Sequence, residues 1–137
     1  MNQSHTATMQ FGLTATRPAL AHWWADLETA IAAAAQAVKS VTLADSVVDY
    51  VVSLIRATRD SADLAAGASP RAAVLLANAA RARAALDARD YVLPDDVKAL
   101  ANAVLRHRLL LSPAAEIEGK QVEALVADLV EATEAPR

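Results

Sequence analysis

The sequence predicts an all-α fold, a bundle of four or five helices with at most one very short strand pair. Three observations carry that expectation. Apolar residues recur at helical spacing from Leu20 to Val130. Pro or Ser–Pro stands at segment starts, as at Ser69–Pro70, Pro94 and Ser112–Pro113. The composition is 55% hydrophobic but only 4% aromatic, so the interior must be built from Ala, Val and Leu, which suits closely packed helices and not a β-sandwich.

Residues 1–19 are polar and without sustained period, which reads as a flexible N-terminal segment ahead of a helical domain over 20–134. In the first helix Leu20, Trp23, Trp24, Leu27, Ile31 and Val38 recur with alanines between them. Two adjacent tryptophans cannot both enter one narrow groove, so core and rim packing is expected, with one ring at the edge of the core or at a contact outside this chain. Thr42 and Asp45 suggest a capping box for a second helix, whose stripe is Val47, Val48, Val51, Leu54 and Ile55, ending near Ala57 with Tyr50 packed against its neighbours.

The stretch ATRDSADLAAGAS reads as a connector, with Thr58 and Arg59 as turn or interface residues. A third helix should run from Pro70 to about Ala88, with Arg81 and Arg83 on its outer side. A fourth starts at Pro94, where Asp95 and Asp96 suit the first turn electrostatically and Leu93 stands where a Ser, Thr or Asp would ordinarily cap, at a cost of ~1 kcal/mol. Leu109–Leu111 is too short for a helix and is expected extended, pairing with Tyr91–Leu93. A last amphipathic helix follows Ser112–Pro113 and is divided at Gly119. Burial is expected for Leu27, Ile31, Val48, Val51, Leu54, Leu75, Leu100, Val104 and Leu125, and exposure for Arg71, Asp95 and Asp96.

Composition also narrows function. The net charge is −3, and there is no cysteine, which excludes disulfides and thiolate chemistry. Without a signal-peptide pattern or a long apolar run, a cytoplasmic location and no membrane association are expected. Residues 56–108 hold nine basic and six acidic groups between two acidic flanks. That bias lacks a dense basic tract with interleaved aromatics, so nucleic-acid binding is not expected. His5, His22 and His107 are too far apart in sequence to make a metal signature. Glycine occurs only at positions 12, 67 and 119, so there is no GxxxxGK[ST] loop, and no apolar strand ends in Asp-Glu. No nucleophile–base system is present, so no catalytic residue is expected and the chain alone should not turn over ATP.

Arg71 stands out. With Ser69 as N-cap and Pro70 as the first helical residue, it lies at the positive end of a helix dipole, where a cation is disfavoured by a few tenths of a kcal/mol and up to ~1. Gly67 just before it permits a tight turn, so the arginine is presented from a rigid corner. A solvated arginine is the bland alternative; an anion beside it is the functional one.

Several spaced segments then carry a resemblance. GASPRA at 67–72, RDYVLPDDVKALA at 89–101, VLRHRLLLS at 104–112, EG at 118–119 and DYVVSLIRATR at 49–59 together resemble the C-terminal helical lid of the MoxR family of AAA+ ATPases, most strongly over 42–129. The resemblance implies a lid that follows a nucleotide-binding core, in cis or in trans, with Arg71 as the residue reaching the nucleotide's terminal phosphates and ATP and Mg2+ as cofactors of the assembled enzyme. Leu93 departs from the Thr or Ser common there. The expected function is a lid fragment contributing nucleotide sensing and conformational coupling with a core; the alternatives are a stand-alone helical adaptor binding a protein partner through Trp23 and Trp24 or the alanine-rich faces, or self-associating, and, less favoured, a small DNA-binding helical domain using the arginine-rich middle.

Overall fold

A computed structural model describes residues 6–8 and 14–136, with side chains from Trp23 onward. The chain divides into two units, residues 1–37 and 38–137. In the first, β1 (Thr6–Thr8) and β2 (Thr14–Thr16) pair antiparallel with Ala7 opposite Ala15. Helix α1 (Arg17–Ser40) begins three residues before the expected Leu20. The expected flexibility of 1–19 falls largely outside the described residues. Alanine is the strongest helix former, and the Ala30–Ala37 stretch sustains α1 without a buried stripe: Ile31 is exposed and Leu27 half-buried, against the expected burial of both.

The second unit holds α2 (Asp45–Asp60), β3 (Leu64–Ala66), α3 (Pro70–Leu86), α4 (Pro94–Leu105), a 3-10 turn at Arg106–Arg108, β4 (Leu110–Leu111), α5 (Pro113–Ile117) and α6 (Val122–Ala132). The described residues thus form six helices, the fifth a single turn set off from the sixth at Gly119. Helix α2 buries Val47, Tyr50, Val51, Leu54, Ile55 and Thr58, a stripe at i, i+3, i+4, i+7, i+8 and i+11. This stripe excludes Val48, which is exposed and not buried as expected. Thr42 makes no cap. Ala44 is the N-cap, and Thr42 instead forms a parallel bridge to Tyr91, its N–H donating to the Asp90 carbonyl (2.8 Å) and its carbonyl accepting from Val92 N–H (3.0 Å). With Tyr91 and Val92 committed to Thr42, β4 pairs elsewhere: it lies antiparallel to β3, Leu64 opposite Leu111, inside the stretch read as a connector.

Helix α3 buries Ala72, Leu76, Ala80 and Ala84, spaced by four. Small residues on that face let α3 approach α4, which buries Val97, Ala101 and Leu105. Leu75 is consequently left on the solvent side, contrary to expectation, and Leu100 and Val104 are half-buried.

The α3–α4 turn explains a further difference. Asp96, expected exposed, is 3% exposed. Its carboxylate accepts both terminal nitrogens of Arg89 (2.7 and 2.8 Å) and the Leu93 N–H (2.8 Å), with Arg83 Nε at 3.3 Å. A buried carboxylate needs such partners. They also replace the missing cap: Leu93 has no side-chain acceptor, yet Asp96 at the third helical position reaches back as half of a capping box. The Arg89 hydrogen bonds, with the Leu93 N–H and the fields of Arg89 and Arg83, hold the Asp96 carboxyl below the usual carboxylate range against the opposing effect of burial.

Two helix ends use the same hydrogen-bond pattern with different residues. After α5, Gly119 (φ 73°) lets Gly119 N–H reach Glu116 O and Lys120 N–H reach Ala115 O, both 3.0 Å. After α3, Ala88 adopts φ 55° in an equivalent pair, Ala88 N–H to Ala85 O (3.1 Å) and Arg89 N–H to Ala84 O (2.9 Å). The left-handed region costs an alanine ~1–2 kcal/mol, against ~0.4–1 kcal/mol of added unfolded-state freedom for glycine. Ala88→Gly should therefore stabilise the protein by about 0.5–1 kcal/mol in urea unfolding; a loss of stability would contradict the strained cap.

Asp96 gives a pH dependence of fixed sign. Its folded-state pKa is depressed, so its contribution is full above the unfolded value of ~3.9 and is lost as pH falls through the lower folded value. Asp96→Asn should cost on the order of 2 kcal/mol at neutral pH and flatten the acid limb of a stability–pH profile. An acid limb as steep as that of the parent would show that other carboxylates carry it.

Candidate functional site

The candidate site is the corner between the C-terminal end of α2 and the start of α3. Thr58, on the last buried turn of α2, is fully buried. Its hydroxyl donates to Ile55 O (2.7 Å) and accepts from Ala68 N–H (2.9 Å). The neighbouring Arg59 Nε donates to Ala68 O (2.8 Å). Both backbone polar groups of the fully buried Ala68 are therefore satisfied by two consecutive residues of α2.

Gly67 makes this approach possible. A Cβ there would lie 2.6 Å from Thr58 O and 2.7 Å from Arg59 Cα, so only a residue without one allows the two backbones to touch. Beyond the clamp, Ser69 occupies the N-cap in extended backbone, as the sequence suggests, but its side chain makes no capping bond; Ala72 N–H reaches the Ser69 carbonyl instead (2.9 Å). Pro70 is the first residue of α3 and Arg71 the second.

Arg71 is exposed and makes no ion pair or side-chain hydrogen bond with the described residues. Arg83 and Arg89, by contrast, engage Asp96. A cavity of about 320 Å³ lies beside the corner, lined by Val52, Ile55, Arg56, Arg59, Pro70 and Ala73. Its lining is almost wholly apolar, so Arg56 and Arg59 contribute their carbon stems, and Arg59 Nε is committed to Ala68 O. Outside the cavity, Arg71 at the start of α3 presents a cationic, planar donor suited to an oxyanion.

Sequence reasoning placed Thr58 and Arg59 at a turn or interface and missed their joint hold on Ala68. One signal was available, since Thr58 falls in phase with Val47, Val51, Leu54 and Ile55 and so had to be buried. Asp95 is exposed and Asp96 is committed to arginines, so the two do not form an acid–base pair. His107 is exposed in the 3-10 turn, while the side chains of His5 and His22 lie outside the described residues. Among the described residues no cluster of three potential metal ligands occurs, and no helix is long and apolar enough to cross a membrane.

Comparison with known proteins gives this geometry a family. Residues 56–129 match the AAA lid domain. The chain is 41% identical over 99 residues to the uncharacterized protein YeaC of Bacillus subtilis, a match spanning 72% of this chain and 31% of that protein. It is 45% identical over 76 residues to chaperone MoxR1 of Mycobacterium tuberculosis, covering 49% of this chain and 20% of that protein. A crystal structure described as "a putative ATPase from Cytophaga hutchinsonii" superposes with a TM-score of 0.70 at 31% identity, over 74% of this chain and 34% of that one. The chain thus spans about a third or less of each relative. The helical architecture and these matches agree, and the chain belongs to the AAA lid domain family, with MoxR proteins among its relatives.

Proposed function

We propose that this chain acts as the lid of a MoxR-like AAA+ ATPase, with Arg71 binding the terminal phosphates of a nucleotide held by a nucleotide-binding core in cis or in trans. The observation that carries this reading is an exposed arginine, free of internal partners among the described residues, on a corner whose backbone is clamped to α2. A guanidinium so held donates two parallel hydrogen bonds to a phosphate without first breaking an internal ion pair. On this reading ATP bound at the core supplies the oxyanions, and Mg2+ accompanies its phosphates there. Thr58, Arg59 and Gly67 orient α3, so a change in phosphate contact at Arg71 moves the lid as a body.

A second reading, a helical protein-binding module, draws on the exposed Trp23 and Trp24, whose rings sit edge to face at 5.4 Å. It predicts that the chain retains its partner when no core is present.

The test joins or mixes the chain with a MoxR-type core and follows ATP turnover. Arg71→Ala should lower the nucleotide response by about ten- to a hundredfold, as expected for one charge-assisted contact of ~1.5–3 kcal/mol, while shifting the chain's own stability by less than about 0.5 kcal/mol. Arg71→Lys should restore only part of the loss. Gly67→Ala behaves differently: its clash with α2 backbone should cost on the order of 2 kcal/mol in folding as well as activity. An unchanged rate for Arg71→Ala in an active assembly would overturn the assignment, as would ATP turnover by the chain alone.

A further inference from the structure

Helix α1 lies outside the residues that match the lid family, and its sequence carries a pattern of its own. Trp24, Leu27, Ile31, Ala34 and Val38 follow one another at spacings of three, four, three and four. That is the seam of a heptad repeat, in which one stripe of a helix faces another helix. Trp23 and Trp24 are each 56% exposed and Ile31 59% exposed, with Leu27 and Val38 half-buried, in a helix where nine of 24 residues are alanine.

The seam is asymmetric in size. Its first half holds Trp24 and Leu27, and its second half holds Ala34 and Val38 beside Ala33 and Ala35. Two copies aligned in parallel would set Trp24 against Trp24 and Ala34 against Ala34, overpacked at one end and void at the other. Reversing one copy sets Trp24 against Ala34 at both ends and Leu27 against Ile31 in the middle. The two-fold axis then passes at Thr29; Ala30, on a flank of the seam one residue away, lies beside its own counterpart, and its small side chain permits the short end of the usual 8–10 Å interaxial range.

We propose that α1 is a self-association surface, on which a second copy of this chain docks antiparallel along Trp24–Ala34. The partner is fixed by complementarity: the bulky half of this helix fits the small half of the same helix. The paired strip is eleven residues long, about 16 Å. Covering it together with the tryptophans buries on the order of 700 Å² between two copies, below the ~1,200 Å² of a stable interface and in the range of weak, transient ones. The dimer is accordingly weak and concentration-dependent, with dissociation in the micromolar range. It is independent of the nucleotide reading, because it uses neither Arg71 nor the α2–α3 corner.

Sedimentation of the full chain from about 1 to about 200 µM tests it. Trp23 and Trp24 are the only tryptophans, so the mass increase should coincide with a blue shift of their emission. Ile31→Lys should weaken association at least about thirtyfold, with the thermal midpoint of the monomer unchanged because the side chain is exposed. Since the chain has no cysteine, Ala30→Cys and Ala34→Cys report the alignment: oxidation should cross-link Ala30→Cys and leave Ala34→Cys monomeric. A monomer mass at the highest concentration, an unaffected Ile31→Lys, or preferential cross-linking of Ala34→Cys would each overturn the proposal.

Discussion

Thr58 and Ala68 are ten residues apart, and the bond between the threonine hydroxyl and the alanine N–H determines where α3 begins in space. A hydroxyl buried without partners would cost several kcal/mol; here it donates to Ile55 O and accepts from Ala68, so both its roles are filled inside the core. The adjacent Arg59 completes the hold by satisfying the Ala68 carbonyl. Gly67 is the steric condition for the two contacts to Ala68. Remove the close approach and the first turn of α3, with Arg71 on it, loses its reference to α2.

From that corner the rest of the second unit propagates through small residues. Alanines at 72, 80 and 84 bring α3 against α4, and Asp96 closes the far end of the pair by gathering Arg83, Arg89 and the Leu93 N–H. One end of α3 thus uses its arginines internally, while the other presents an arginine outward. This division explains why Arg71 is the guanidinium of interest despite the richness of the region in arginine: charge alone does not distinguish these residues, but their partners do.

Helix starts at Pro70, Pro94 and Pro113 and the break at Gly119 were legible in the sequence because proline and glycine act within one or two residues of themselves. The corner was legible in outline for the same reason, with Ser69, Pro70 and Arg71 where the pattern placed them. What was not legible depended on contacts distant in sequence. β4 finds β3 because Tyr91 and Val92 are already engaged by Thr42. Asp96 is buried because arginines of another segment meet it, and Val48 and Leu75 stay out because the stripes of α2 and α3 run one residue away from the nearest large apolar side chain. The Thr58 clamp combines both kinds of information, a phase readable along α2 and a partner that only the folded chain supplies.

Arg71 stands on a fixed corner and not on a mobile loop. Amide hydrogen exchange at Ala68 measures this directly, since its N–H lies in a connecting segment yet is bonded within the core. Protection comparable to that of the buried turns of α2, lost on Thr58→Val, is the predicted result. Exchange of Ala68 at the rate of an open loop in the unaltered chain would contradict the account.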